Sequence, residues 1–167
     1  MNVLVSDASV LIDLARWSLL SKAFRLPFNF VVPDLLFEDE LIDLGEFSRA
    51  DLLHFGLKVE SLDSAEVQQA ETYLARHPKL SVNDTFSIAL AVGKGYGLPT
   101  GDNEMRKLAE GAGVVVHGML WVFDRLKETR LENPSHLVRI LEAMLSDRKT
   151  RLPVTEIRKR IESWKKK

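Results

Sequence analysis

The sequence predicts an α/β protein: a three-layer α/β/α sandwich around a central parallel sheet of about five strands, followed by a C-terminal helical extension. Three observations lead there. Short apolar runs at Val3–Val5 and at residues 30–32, 57–62, 97–100 and 114–116 alternate with segments of helical periodicity. Such alternation favours parallel strands joined by right-handed crossovers, with helices on both faces. It stops at Asn133-Pro134-Ser135, beyond which only helical patterns remain, over residues 137–145 and 155–164.

The first strand, Val3–Val5, runs directly into Ser6 and Asp7, and a helix over residues 9–16 carries Val10, Leu11 and Leu14 on one stripe. Asp7 therefore stands at a strand-to-helix junction. Open parallel sheets bind ligands beyond the carboxyl ends of their strands, so this carboxylate occupies the edge where such folds carry chemistry. After the second strand, Pro33 suits the first turn of a helix, where its missing N–H needs no partner, and Gly45 is the expected stop. Alternation over residues 57–62 gives the third strand. Asp63 with Glu66, and Ser81 with Asp84, have the spacing of capping boxes. The first opens a helix ending near His77-Pro78; the second opens one whose Ile88, Ala89, Leu90 and Ala91 suit close packing on a sheet, closed by Gly93 and Gly95. In the fourth strand, Pro99 argues for a sheet edge or a strand terminus. Asp102 caps a helix over residues 103–110, and another helix starts at Met119 after the fifth strand.

At 167 residues the chain can bury one core without disulfides or metal staples. It has no cysteine, which excludes a disulfide framework, a thiolate metal site and a cysteine nucleophile, and sits most easily with a reducing cytoplasm. No window approaches the ~18 apolar residues of a membrane span, and no leader pattern opens the chain, so a soluble protein without a membrane partner is expected. The net charge of −1 hides an asymmetry: residues 148–167 hold nine Lys/Arg against Glu156 and Glu162, leaving the body acidic. Lys159, Arg160, Lys165, Lys166 and Lys167 are candidate RNA-phosphate contacts, beside the plainer reading of a solvated helix end. Leu152, Val154, Ile157 and Trp164 on the same helices serve either packing on the body or a homodimer. No nucleophile elbow or P-loop spacing occurs, and His54, His77, His117 and His136 are scattered without ligand spacing, as surface or core residues are.

Four acidic places stand out by position: Asp7 after the first strand, Glu38 or Glu40 in the helix after the second, Asp84 in the first turn of its helix, and Asp102 after the fourth strand. Each Asp taken singly is also an ordinary helix cap. Gathered on one edge they repel one another, and unless one is protonated the site calls for a cation. Oxygen ligands without His or Cys select Mg²⁺ or Mn²⁺, which can activate water and steady an in-line phosphoryl displacement. Phosphodiester hydrolysis is the chemistry this points to.

The ordered set VLVSDASVLIDL, VPDLLFEDEL, LSVNDTFSIALA and LPTGDNEMRKLAE resembles the PIN-domain ribonucleases, most of all the VapC-type toxins of prokaryotic toxin-antitoxin pairs. The likeness covers residues 1–126. It implies a PIN-like domain over residues 1–130, with 131–167 an extension of the same domain about which the likeness is silent. It also implies a metal-dependent endoribonuclease with Asp7, Asp84, Asp102 and either Glu38 or Glu40 as Mg²⁺ or Mn²⁺ ligands, acting on RNA and held by a cognate antitoxin. Helical stripes cannot choose between the two glutamates, since Leu35, Glu38 and Ile42 share one and Leu36, Glu40 and Leu44 another; the Glu40-Leu41 pair leans toward Glu40. Ser9 and Thr100 resemble supporting hydroxyls, and Pro99 departs from the usual aliphatic residue. Two other readings stand beside this one. A non-catalytic PIN-like module would bind RNA or protein through the same surface, and a phosphotransfer enzyme would use Asp7 as nucleophile. Against the latter, a dehalogenase-type phosphatase wants an acid where Ser9 stands, and a receiver domain wants an acidic pair and a late lysine.

Overall fold

The computed structural model describes residues 2–41, 44–147 and 152–166. Its parallel sheet has β1 (Val3–Val5), β2 (Asn29–Pro33) and β3 (Lys58–Glu60) paired in that order, and β4 (Leu98–Pro99) paired with β5 (Val116–His117). The two ladders join where Leu4 bridges Gly97 in parallel, so the strand order is β3-β2-β1-β4-β5. Val5 N–H donates to Gly97 O, Gly97 N–H to Val3 O, and Asp7 N–H to Pro99 O. The next rung in this direction would need an N–H from Pro99, which has none, so the pairing shrinks to a single bridge. Pro99 thus sits at the last residue of an interior strand. The terminus half of its sequence reading holds, and the edge half does not.

The pleat sends alternate side chains to opposite faces. Leu4, Phe30 and Val32 join one apolar cluster and Val5 and Val31 the other. The first face is covered by α1 (Ala8–Arg16), α2 (Leu20–Ala23), α3 (Asp34–Asp39), α4 (Arg49–Phe55), α8 (Met119–Glu128), α9 (Pro134–Ser146) and α10 (Val154–Lys165). On the second face lie α6 (Val82–Lys94) and α7 (Asn103–Gly111), with α5 (Ser64–Arg76) packed on α6. The expected α/β/α layering is the observed one. Gly93 lies inside α6 rather than ending it. A Cβ there would come within 2.4 Å of Glu66 Oε2, so this glycine lets α5 approach α6, while Gly95 ends α6 at φ +72°.

Three expectations shift. The helix after β2 stops at Asp39 with Glu40 as its C-cap, well short of Gly45, which lies at φ +66° inside the turn closed by the Leu44–Phe47 bridge. α2 and α4 were not expected, and β5 sits at Val116–His117 rather than at 114–116. The tail helices spend Ile157, Ile161 and Trp164 in the same cluster as α1 and α8. No helix among the described residues is long and apolar enough to cross a membrane.

Candidate active site

The β1 ladder sets the position of Asp7. Ser6 N–H donates to Val31 O and Asp7 N–H to Pro99 O, and the Asp7 carbonyl accepts from Val10 and Leu11 as α1 begins. This wedges the side chain between two strand ends, where it is only 6% exposed. Asp7 Oδ2 accepts hydrogen bonds from Ser9 Oγ and Thr100 Oγ1, both at 2.8 Å. The Thr100 hydroxyl in turn accepts from Asp102 N–H at 3.1 Å, so one side chain ties the β1 end to the turn after β4. Burial pushes the Asp7 carboxyl above the usual carboxylate range; the Thr100 and Ser9 hydrogen bonds oppose this, and the charge of Asp84 adds to it.

Asp84 opens α6 in a reciprocal capping box with Ser81: Ser81 N–H donates to Asp84 Oδ2 at 2.9 Å and Asp84 N–H to Ser81 Oγ at 3.0 Å. Asp102 opens α7, its Oδ1 accepting from Met105 N–H at 3.0 Å. Both are the caps that their positions suggest, yet each uses one oxygen for the cap and has a second to offer. Glu40 is held by Asn83, whose Nδ2 donates to Glu40 Oε1 at 2.8 Å. Asp7, Ser9, Glu40, Asp84 and Asp102 line one cleft of about 470 Å³. Glu38 lines none of it and is exposed; its backbone carbonyl accepts from the Arg49 guanidinium. Because α3 ends before Glu40, the chain turns there, and Glu40 rather than Glu38 faces the cleft.

The sequence reading missed Asn83, although it directly precedes Asp84. It is nearly buried, and its Oδ1 finds no partner among the described residues. Arg16, paired with Asp147, also lines the cleft, beside Asp13, whose carboxyl is raised by burial and eased down by Arg16. The tail candidates lie elsewhere. Arg160 clamps Asp124 of α8 with two 2.8 Å hydrogen bonds, Lys159 pairs with Glu156 at 3.1 Å, and Lys165 with Glu142 at 2.5 Å. Lys166 is exposed, and Lys167 lies outside the described residues.

No three His, Asp or Glu side chains among the described residues stand together as a ready cage for an ion. The donors nonetheless suit a hard cation that keeps part of its water. They are all oxygens, they belong to side chains of like charge, and the most buried one is an acid whose ionisation burial and a neighbouring carboxylate both disfavour. Residues able to hold Mg²⁺ or Mn²⁺ here, directly or through water, are Asp7, Glu40, Asp84 and Asp102.

A parallel α/β sandwich with acids at the carboxyl ends of β1 and β4 is an architecture that nuclease domains share with phosphotransfer enzymes. A family model described as a PIN domain matches residues 3–166, nearly the whole chain, tail helices included, and the protein belongs to that family. No curated protein matches it. PIN domains are generally nucleases acting on RNA and typically use divalent metals.

Proposed function

We propose that this protein is a Mg²⁺- or Mn²⁺-dependent endoribonuclease, the toxin of a VapC-type pair held inactive by a cognate antitoxin. The observation that carries this reading is that Asp7, Glu40, Asp84 and Asp102, from four separate chain segments, line one cleft. An ion bound there supplies an activated water and charge neutralisation for in-line displacement at phosphorus. The chain's own part is positioning. Ser9 and Thr100 fix the Asp7 carboxylate, Asn83 fixes Glu40, and the Ser81–Asp84 capping box and the Asp102 cap hold Asp84 and Asp102 at helix starts. The toxin assignment rests on the sequence resemblance alone, and co-purification with the product of a neighbouring short gene tests it.

Cleavage of single-stranded RNA by the purified protein in Mg²⁺ or Mn²⁺, its loss in EDTA and its loss in Asp7→Asn together test the activity. A folded wild type that leaves RNA intact with either ion would remove it. A second reading is a non-catalytic module that binds RNA or protein through the same cleft. That reading requires that neither ion bind.

A further inference from the structure

His117 ends β5, and its carbonyl accepts from Thr100 N–H at 2.8 Å, so it adjoins the turn that carries Asp102. Its ring stacks on Trp121 of α8, with centroids 3.8 Å apart and planes 15° apart, and Phe28 packs against Trp121 from a third segment. Two guanidiniums border the pair. Arg106, one turn along α7 from Asp102, comes close to Gly118, and Arg125 lies over the Trp121 ring at 5.8 Å. All four side chains are partly exposed. We infer that His117, Trp121, Arg106 and Arg125 form the surface on which a single-stranded RNA lies as it enters the carboxylate cleft.

This inference rests on the ribonuclease reading and adds where the substrate is gripped. The acidic cleft repels phosphates, so an RNA strand needs cations beside it. Some other cations are held by less exposed partners: Arg160 by Asp124, Lys22 by the buried Glu132, and Arg16, on the cleft itself, by Asp147. Among the described residues Arg106 and Arg125 form ion pairs only with Glu110 and Glu128 of their own helices, at 3.2 and 2.7 Å, and both glutamates are more than half exposed. Pairs so exposed hold weakly and give way to a phosphate. Arg125 Nε is buried without a partner among the described residues. Burial and the two guanidiniums push the His117 pKa down, which leaves an uncharged ring suited to stacking on a base. Aromatic rings beside guanidiniums match the alternation of bases and phosphates in a single strand.

Binding of a short fluorescein-labelled oligoadenylate, measured by anisotropy in metal-free buffer across a salt series, tests this without cleavage. The double variant Arg106→Gln/Arg125→Gln should flatten the log-log salt slope by about 1.4, at about 0.7 per lost phosphate contact. His117→Ala should weaken binding about fivefold or more at an unchanged slope, and His117→Phe should restore it. Wild-type affinity and slope in both the double variant and His117→Ala would overturn the surface, while metal-dependent cleavage lost in Asp7→Asn would keep the ribonuclease reading standing. A wild type that binds no RNA in this buffer would likewise overturn the surface, and the ribonuclease reading would fall only if cleavage with Mg²⁺ or Mn²⁺ were also absent.

Discussion

The carboxylate cleft and the basic tail are treated oppositely by the fold. In the tail, charges of opposite sign meet: Arg160 is raised by its hydrogen bonds to Asp124, and Glu156 is lowered by Lys159 and Arg160. In the cleft, Asp84 carries the same sign as Asp7, and burial together with that neighbouring charge hinders ionisation of Asp7. Among the residues that look most like nucleic-acid contacts in the sequence, Arg160 is therefore satisfied within the chain, and Lys159 and Lys165 meet exposed partners. The ones that look like ordinary helix caps gather like charge in one cleft, which a proton on Asp7 or an outside cation would relieve. Where a fold leaves like charges together, function is the better explanation than stability.

The largest effect that would sharpen this contrast is in Asp7→Asn. Loss of cleavage by more than about a hundredfold is expected, beyond the cost of changing a residue that merely orients a ligand. Without metal, the same variant should melt at a higher temperature than wild type near neutral pH. The sign follows from the raised pKa: the stability tied to a protonated Asp7 is full below its unfolded pKa and is lost as pH rises through the folded one, a loss the amide does not suffer. A variant that is both active and no more stable would break the contrast at its centre.

Glu40→Gln should lower cleavage about 10- to 100-fold while Glu38→Gln leaves it unchanged, because only Glu40 lines the cleft. Equal rates in the two variants would detach α3 and its loop from the site.

Arg160→Gln probes the other region. Losing the paired hydrogen bonds to the half-buried Asp124 should cost about 1.5–3 kcal/mol in urea unfolding, with cleavage per folded molecule unaffected. A variant as stable as wild type but slower on RNA would return Arg160 to the substrate.

The smallest effect is one of acid. Glu132, held by Lys22, Asn133 N–H and His136, has its pKa lowered to about 2. A depressed carboxylate contributes stability above its unfolded pKa and loses it as pH falls through the folded value, so acid unfolding should steepen between about pH 4.5 and 2. Glu132→Gln should remove that dependence.

Much of this was legible in the chain. The strand-to-Asp7 junction, the capping boxes at Asp63 and Ser81 and the Asp102 cap are local patterns, and local patterns survive folding. α4 was legible too, for Ser48 and Asp51 form the same reciprocal box, passed over because no strong apolar stripe follows. α2 has four residues and no side-chain cap, too little to leave a signal. The position of Glu40 depends on where α3 ends and on Asn83 across the cleft, a long-range contact without sequence period. Likewise Arg160 and Asp124 find each other across 36 residues, which a charge count cannot see.

The most direct test of the central claim is calorimetric titration of Mn²⁺ into the apoprotein and into Asp7→Asn at two pH values. Saturable binding to wild type is expected, weaker at the lower pH because the buried Asp7 must give up its proton, and abolished by the amide. Equal heats from both proteins, or an affinity indifferent to pH, would contradict the claim that these carboxylates are gathered to hold a cation.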